Sequence, residues 1–347
     1  MGTAKYPLHI GDTYLSPPTS AHQSTEDFLN SDAHKYCPPK GHPALISAIS
    51  EEYGVEPARV MVTPGATGGL HISAMSTLSP GDKVLILAPF WPLAKGILQA
   101  VGAIPVLVPF FGIEGTVHER LSPYITDDVV AIYCNSPNNP SGAMLTANES
   151  EELAELVRTN DWWLYADEVY ERLIYDGQHV PMRHLVPEHT ISIFSFSKAY
   201  GMAGYRCGYI ILPNASLEEH FLKGMVHSFY SVPTSAQIVA AKVLKTERAW
   251  IERTCELYAE AGAAVAEILD VPTPTNGTFI FMDISAYLEG RSFDDFMEAC
   301  IAEKLLLAPG SAFGTGYENY IRICFTCIDK AVAIEGAQVL KRIMLNP

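Results

Sequence analysis

The sequence predicts an α/β protein, with a three-layer large domain around a mostly parallel central sheet and a smaller α+β domain. Two patterns support this prediction. Between residues 84 and 212, short and almost continuously apolar segments alternate with longer amphipathic ones, as in parallel sheets that helices cover on both faces. After about residue 233, a long helical run replaces this alternation. We therefore expect three units: an N-terminal arm with part of the small domain (1–36), the large domain (37–245) and the small domain (246–347).

The individual elements follow from apolar periodicity. Helices are expected over 147–160, where Leu153 and Val157 share one face, over a segment that opens near Ala66, and over 235–270. The strand–helix order places the carboxyl ends of the parallel strands at one edge of the sheet. The predicted strands of the large sheet are the apolar runs at 84–88, 104–110, 129–135, 162–168, 191–197 and 205–212.

The composition argues against several classes of function. The 347 residues carry a formal net charge of −16, which repels phosphate backbones and argues against nucleic acid as a partner. The apolar runs are shorter than the roughly 20 residues that cross a bilayer. We also read no secretory signal at the N-terminus. We therefore expect a cytoplasmic protein that has no membrane partner and acts on small molecules.

The cysteines and histidines do not predict a metal site. Seven scattered cysteines indicate reduced thiols. Cys324 and Cys327 have CxxC spacing, but no second pair accompanies them, so neither zinc binding nor redox chemistry is favoured. His179, His184 and His189 recur every five residues, which is not the spacing of ligands on a helix. We expect no metal, and we expect these histidines to be solvated loop residues.

Three polar residues fall where predicted strands end. Asn139 follows the third of the strands given above, Asp167 ends the fourth and Lys198 follows the fifth. Ligands of open α/β sheets bind outside the carboxyl ends of the strands. Each residue also has a structural alternative: turn formation by Asn139, helix capping by Asp167 and an ordinary surface position for Lys198. Because the three converge on one edge, we predict a binding crevice there.

Further residues suit an anion. Residues 65–67, Gly-Ala-Thr, lie between a short strand and a helix, and the first-turn N–H groups of a helix attract anions. Such a turn is more often structural. Ser195 and Arg206 flank Lys198, and a guanidinium matches the oxygens of a phosphate, although Arg206 could equally pair with a surface carboxylate. The sequence predicts a phosphate group near Lys198.

Three further residues could contact the parts of a ligand other than its phosphate. Tyr170 follows Asp167 by three positions, which brings its phenol towards the same crevice. Trp91 directly follows a strand and could stack on a planar ring, although a core tryptophan is the simpler interpretation. Arg322 is a lone cation in an apolar run, and a buried arginine needs a partner. A substrate carboxylate would supply one.

Together these motifs resemble the class I/II aminotransferases, the fold-type I enzymes that use pyridoxal phosphate (PLP). The resemblance covers essentially the whole chain, and seven motifs in the family's order are far more specific than any one of them. They are TPGATGGL, APFW, NSPNNPSG, ADEVY, SFSKAYGMAGYRCGY, PGSAFG and YIRICF.

The resemblance implies a role for each residue around the cofactor. Lys198 matches the lysine that forms an aldimine with PLP, and Asp167 matches the aspartate that keeps the pyridine nitrogen protonated. Tyr170 and Asn139 match the groups that bind the ring oxygen, and Trp91 matches the stacking aromatic residue. The phosphate-binding positions are Gly65, Ala66, Thr67, Ser195 and Arg206, with Ser197 as a further contributor.

The resemblance also implies the substrate contacts and the assembly. Arg322 matches the arginine that binds the substrate α-carboxylate, and Gly11 lies beside the substrate. Tyr36 matches a tyrosine that reaches the phosphate of the neighbouring subunit, which implies a homodimer with shared active sites. The arm departs from the family's pattern between Asp12 and Leu15, so the resemblance specifies the cofactor contacts and not the lining around the substrate's side chain.

The implied activity is transfer of an amino group between an amino acid and a 2-oxo acid. Lys198 would move the proton at Cα, a contribution of roughly 10²–10⁴-fold. Other PLP reactions remain open, namely those of a C–S β-lyase, a cyclase or an amino-acid oxidase. So do a non-catalytic PLP-binding module and a serine acyl-enzyme, since Ser195 to Lys198 also fits SxxK. Neutral or aromatic amino acids are favoured as substrates, with an aromatic pocket of Tyr14, Phe90 and Tyr230.

Overall fold

The computed structural model describes residues 4–22 and 32–345. Residues 1–3 and 23–31 of the predicted arm, and residues 346–347, lie outside this description. A seven-stranded sheet forms the centre of the larger unit, in the order β1-β7-β6-β5-β4-β2-β3. Its strands are β1 (Val60–Thr63), β2 (Lys83–Ala88), β3 (Ile104–Pro109), β4 (Val129–Asn135), β5 (Trp163–Asp167), β6 (Thr190–Ser195) and β7 (Gly208–Ile211).

The large sheet is mostly parallel, as predicted. β3, β2, β4, β5 and β6 run parallel to one another, whereas β7 is antiparallel to β6 and β1 is antiparallel to β7. Successive residues of the central strands enter two different hydrophobic cores. On β4, for example, Ile132 packs on one face and Tyr133 on the other. Burial on both faces explains why these strands are continuously apolar.

Helices cover both faces of this sheet and complete the smaller unit. Their bounds confirm the predicted helices at 147–160 and after Ala66. The described helices are α1 (Pro43–Tyr53), α2 (Gly65–Thr77), α3 (Pro92–Ala100), α4 (Val117–Leu121), α5 (Ala147–Thr159), α6 (Met182–Leu185), α7 (Glu218–Ser228), α8 (Thr234–Thr246), α9 (Arg248–Leu269), α10 (Phe293–Ala302) and α11 (Lys330–Leu345).

Two predicted elements have different bounds in the structure. The helical run at 235–270 is broken at Glu247, whose φ of −110° and ψ of 30° are not helical. The break lets α8 pack on α1 while α9 packs on α11. The strand predicted at 205–212 begins only at Gly208, because Ala203–Tyr205 form a 3₁₀ turn and Arg206 adopts a left-handed φ of 50°. Periodicity cannot detect either change in backbone direction.

The smaller unit contains a three-stranded antiparallel sheet in the order β8-β10-β9. Its strands are β8 (Phe279–Asp283), β9 (Ala308–Pro309) and β10 (Tyr320–Cys324). The N-terminal arm packs on this unit, since Tyr6 bridges to Leu305 and Leu8 is fully buried. The arm is therefore held beside β10, although the exact domain limits stay a prediction. No helix among the described residues is long and apolar enough to cross a membrane.

Candidate active site

A cavity of about 270 Å³ lies at the carboxyl ends of β4, β5 and β6, where the crevice was predicted. It brings together residues from the arm, the large sheet and β10. Twelve of the fourteen predicted site residues line it: Gly11, Ala66, Thr67, Trp91, Asn139, Asp167, Tyr170, Ser195, Ser197, Lys198, Arg206 and Arg322. Asn135, Val169 and Ala203 also line it and were not predicted.

The other two predicted residues lie outside the lining. A Cβ atom at Gly65 would come within 2.8 Å of Nη2 of Arg206, so the glycine allows that guanidinium to approach the backbone. Gly65 also has a left-handed φ of +70°. Tyr36 is 87% exposed, and its ring packs edge-on against Tyr230 at a centroid distance of 5.3 Å. Within the described chain, Tyr36 does not reach the cavity.

Lys198 presents its amine to the cavity. The Nζ atom donates a hydrogen bond to the carbonyl oxygen of Gly11 on the arm. Burial lowers the pKa of Lys198, the charges of Asp12 and Cys324 oppose this shift, and Arg322 and Arg206 add to it. The net effect makes the free amine more accessible at neutral pH than that of a surface lysine.

Asp167 is a buried carboxylate with an incomplete set of partners. The hydroxyl of Tyr133 donates to Oδ2 at 2.5 Å, whereas Oδ1 is buried and accepts no hydrogen bond from the described residues. Burial raises the pKa of Asp167 to about 6, against the effects of the Tyr133 hydrogen bond and of the main-chain N–H of Val169. A buried acceptor without a donor is costly, so Oδ1 is suited to a donor from a ligand.

Sequence analysis did not predict the contact from Tyr133. β4 and β5 pair in parallel register, with Tyr133 beside Tyr165 and Asn135 beside Asp167. The Nδ2 atom of Asn135 donates to the main-chain oxygen of Asp167 at 2.9 Å and so fixes the end of β5. The available signal was a tyrosine inside a buried strand, because a buried hydroxyl needs a partner.

One end of the cavity is suited to an anion. α2 begins at Gly65, and residues of its first turn, Ala66 and Thr67, line the cavity. At the end of β6, Ser195 Oγ donates to Ser197 Oγ at 2.8 Å. Arg206 is fixed by a 2.9 Å hydrogen bond from Nη1 to the Ala203 oxygen. First-turn N–H groups, hydroxyls and a guanidinium together form a typical phosphate environment.

Arg322 lies on β10 at the other end of the cavity. Its Nη1 atom donates to Oδ1 of Asn139 at 3.0 Å, and its Nη2 atom donates to the His9 oxygen at 2.7 Å. The guanidinium lies over the rings of Phe279 and Phe313, at 4.3 and 5.0 Å from their centroids. These partners are neutral, so the described residues leave the buried cation without a direct carboxylate partner.

The CxxC pair and one of the histidines have structural partners. Cys324 Sγ donates to the oxygen of Asp12 at 3.4 Å, and Cys327 Sγ donates to the oxygen of Pro7 at 3.5 Å. No group of three or more metal-ligating side chains occurs in the described part of the chain. The expectation of a solvated His179 is wrong. Its ring is 7% exposed and lies 3.0 Å from Oε1 of Glu168, because tertiary packing folds the loop onto the sheet.

The fold and the whole chain match known proteins. A solved aromatic aminotransferase from Pyrococcus horikoshii superposes with a TM-score of 0.91, at 29% identity over 98% of this chain and 95% of that one. A probable aspartate/prephenate aminotransferase of Thermus aquaticus is 32% identical over 88% of this chain and 83% of its own length. An aromatic-amino-acid aminotransferase of Thermococcus litoralis is 30% identical over 92% of this chain and 86% of its own length.

These matches first define the class of protein, an enzyme with the fold of the fold-type I aminotransferases. The family model for aminotransferase class I and II then matches residues 3–340. The chain belongs to this family and is an aminotransferase. The resemblance, the fold class and the transaminase activity predicted from the sequence are all confirmed, whereas the roles of individual site residues stay predictions.

Proposed function

We propose that the cavity binds PLP and that the protein transfers an amino group between an amino acid and a 2-oxo acid through Lys198. One observation carries this proposal. A buried amine with a lowered pKa and the orphaned Oδ1 atom of Asp167 open into the same cavity. An amine that reacts with a carbonyl group and a carboxylate that accepts a proton donor are the two groups that PLP needs most.

The lining residues fit the remaining parts of the cofactor. The N–H groups at Ala66 and Thr67, together with the side chains of Ser195, Ser197 and Arg206, would hold the phosphate. Tyr170 and Asn139 would bind the ring oxygen, and Trp91 would cover a ring face. Bound PLP supplies an electrophilic carbonyl carbon and a ring that accepts electrons from the substrate Cα.

Lys198 would do the proton transfer. With its pKa lowered by burial, the amine is able to take a proton from the substrate Cα and return it elsewhere, as a general base and then a general acid. Asp167 would act at a distance from this proton, by holding a positive charge on the cofactor ring nitrogen. Tyr133 would keep the Asp167 carboxylate in place through its hydrogen bond to Oδ2.

Arg322 would orient the substrate. A guanidinium binds a carboxylate with two parallel hydrogen bonds, and this one is buried and has only neutral hydrogen-bond partners. An α-carboxylate would supply the missing charge. Gly11 leaves room for it, because a Cβ atom there would lie 3.0 Å from the Phe279 ring and 3.6 Å from Nη2 of Arg322.

Neutral or aromatic amino acids are the proposed donors. Aromatic donors are supported by the names of the relatives from Thermococcus litoralis and Pyrococcus horikoshii. The relative from Thermus aquaticus is named as a probable aspartate/prephenate aminotransferase. The predicted aromatic pocket has no support from the described chain: Phe90 is buried, Tyr14 packs near Tyr258, and Tyr230 contacts Tyr36. None of the three predicted pocket residues lines the described cavity.

A homodimer is proposed on the position of Tyr36. This residue and Tyr230 expose 87% and 45% of their surface, although large aromatic side chains gain stability from burial. A second subunit would cover both tyrosines, and Tyr36 of one subunit would then reach the phosphate site of the other. Equilibrium sedimentation of the holoenzyme would test the assembly. The cytoplasmic location stays a prediction from the sequence.

The central experiment combines product analysis with removal of the amine. The purified protein with PLP is given phenylalanine, tyrosine, leucine and aspartate, each with 2-oxoglutarate, and the 2-oxo acid product is measured. We expect Lys198→Ala to lower turnover by at least about 10²–10⁴-fold and to lose the cofactor that borohydride fixes to the native chain. Lys223→Ala removes an exposed lysine paired with Glu219. It should change neither the turnover nor the amount of cofactor that borohydride fixes.

Each other product would select an alternative. Pyruvate with ammonia indicates a β-lyase, peroxide indicates an oxidase, and colour without any product indicates a binding module. A serine acyl-enzyme would need Ser195 next to the amine, but the Ser195 hydroxyl donates to Ser197 and Lys198 donates to Gly11. Clear preference for aspartate would overturn the proposed substrate class, and Lys198→Ala with native turnover would overturn the activity.

A further inference from the structure

The arm makes a tight turn directly beside the amine of Lys198. The N–H of Asp12 donates to the oxygen of Ile10 at 3.0 Å, so that Gly11 lies at the apex and its carbonyl oxygen accepts from Nζ of Lys198. The next side chain after that acceptor is the Asp12 carboxylate. This part of the arm, Asp12 to Leu15, is where the sequence departs from the family's pattern.

Asp12 is fixed by hydrogen bonds from β10 and the turn that follows it. Its main-chain oxygen accepts from Thr326 Oγ1 at 2.9 Å and from Cys324 Sγ at 3.4 Å. Its Oδ1 atom accepts from the N–H of Thr13 at 2.9 Å. The carboxylate therefore has a defined position relative to the oxygen that binds Nζ, and it forms no direct ion pair there among the described residues.

When the other charged groups of the site are assigned to ligands, Asp12 is the carboxylate that remains as a partner for Lys198. If the proposed function is correct, Arg206 faces the cofactor phosphate, Arg322 faces the substrate carboxylate and Asp167 faces the ring nitrogen. Lys198 becomes an ammonium each time it takes the Cα proton, and burial penalises that charge. Among the groups whose charges act on Lys198, Asp12 and Cys324 are the two that favour the ammonium, and Arg322 and Arg206 oppose it.

We propose that Asp12 is a positioning residue whose carboxylate stabilises the protonated form of Lys198. The carboxylate itself touches neither cofactor nor substrate in this assignment. It acts through Lys198, by making proton uptake from Cα less costly in a buried site where two arginines already lie. The assignment rests on the proposed function only in taking Lys198 as the base.

The test measures the Lys198 pKa directly and not only activity. Asp12→Asn keeps the acceptor for the Thr13 N–H and removes the charge. In the cofactor-free full-length chain, competitive labelling with acetic anhydride over a pH series, read by mass spectrometry, gives the pKa of the Lys198 amine. We expect this pKa to fall, because the variant removes a charge that favours the ammonium, and roughly one unit is the usual spread of such shifts in folded proteins.

The same variant is then examined as holoenzyme. The acidic limb of kcat should move to lower pH by a similar amount, because kcat reports the enzyme–substrate complex, in which the Lys198 amine is free to act as the base, and a weaker base loses its proton at lower pH. Asp12→Glu should restore the native profile. Asp329→Asn is the matched control, since Asp329 is exposed and its capping hydrogen bond to the Ala331 N–H can be kept by asparagine.

The outcomes separate this inference from the proposed function. An unchanged Lys198 pKa in Asp12→Asn, or an equal shift in Asp329→Asn, overturns the role of Asp12 whatever the enzyme's reaction. A Lys198 pKa that falls in Asp12→Asn alone supports the role, even if the product assay identifies a PLP reaction other than transamination.

Discussion

Asp167 and Glu168 are consecutive carboxylates at the end of β5, are 5% and 2% exposed, and lie in very different environments. Glu168 accepts from Arg183 Nη1 at 3.2 Å and lies 3.0 Å from Nε2 of His179. Asp167 accepts from Tyr133 at Oδ2, whereas its Oδ1 atom has no donor at hydrogen-bonding distance and angle among the described residues. Burial alone therefore does not identify a functional carboxylate. A buried oxygen without a hydrogen-bond donor is the better indicator, because a buried charge with a structural role must be paired within the protein.

The largest effect on stability is expected from Glu168. Glu168→Gln leaves the buried guanidinium of Arg183 without its charge partner, and breaking a buried pair costs about 3–5 kcal/mol. Urea denaturation should show this loss. Glu155→Gln is the control, because its pair with Arg158 is exposed and should be worth at most about 1 kcal/mol. Equal losses in both variants would contradict the distinction between Asp167 and Glu168.

Asp167→Asn should affect activity instead. Removing one preorganised electrostatic group from an active site lowers kcat by about 10²–10³-fold, and the amide cannot hold a positive charge on the cofactor ring. The folded chain without cofactor should not be destabilised, because Oδ1 has no partner to lose among the described residues. Initial rates of 2-oxo acid formation measure the first effect and urea midpoints the second. A variant with native rates would remove Asp167 from the site.

The pH dependence of stability should also distinguish Asp167 from Glu168. The pKa of Asp167 is raised to about 6 by burial, against about 3.9 in an unfolded chain. The native state therefore holds a proton that the unfolded state has lost between about pH 4 and 6, so the free energy of unfolding falls by about 3 kcal/mol as pH rises through this range. In urea titrations of the cofactor-free chain, Asp167→Asn should lose this decrease and Glu168→Gln should keep it.

Tyr133→Phe is expected to have the smallest effect of the four. It removes one hydrogen bond to a charged group, worth about 1.5–3 kcal/mol, and so raises the pKa of Asp167 further. We expect kcat/KM to fall about tenfold near neutral pH and to recover in part at higher pH, where the carboxylate ionises again. Tyr165→Phe is the control, since the Tyr165 hydroxyl pairs with Thr77 Oγ1. The same loss in both variants would argue against a specific role of Tyr133.

Much of the site was predictable because its residues are fixed by strand ends. Asp167 and Lys198 follow apolar runs that are visible in the sequence, and parallel strands bring their carboxyl ends to one edge. Residues that act through a partner were harder to find. Asn135 and Tyr133 contribute through the register of β4 against β5, which no local pattern encodes. Asp12 acquires its place only because the arm folds back along β10.

Four features could be predicted from the sequence: the α/β class, the mostly parallel sheet, the family and the chemical types gathered at the strand ends. These features depend on local periodicity and on short motifs, which a chain carries whatever its distant contacts. Which buried charges are paired depends on the tertiary structure. Asp167 and Glu168 are neighbours in the chain, yet side chains on a strand alternate between its faces, so one meets Arg183 and His179 and the other meets a cavity. Whether a buried charge is paired depends on which side chains lie near it in the folded protein, and not on their distance along the chain.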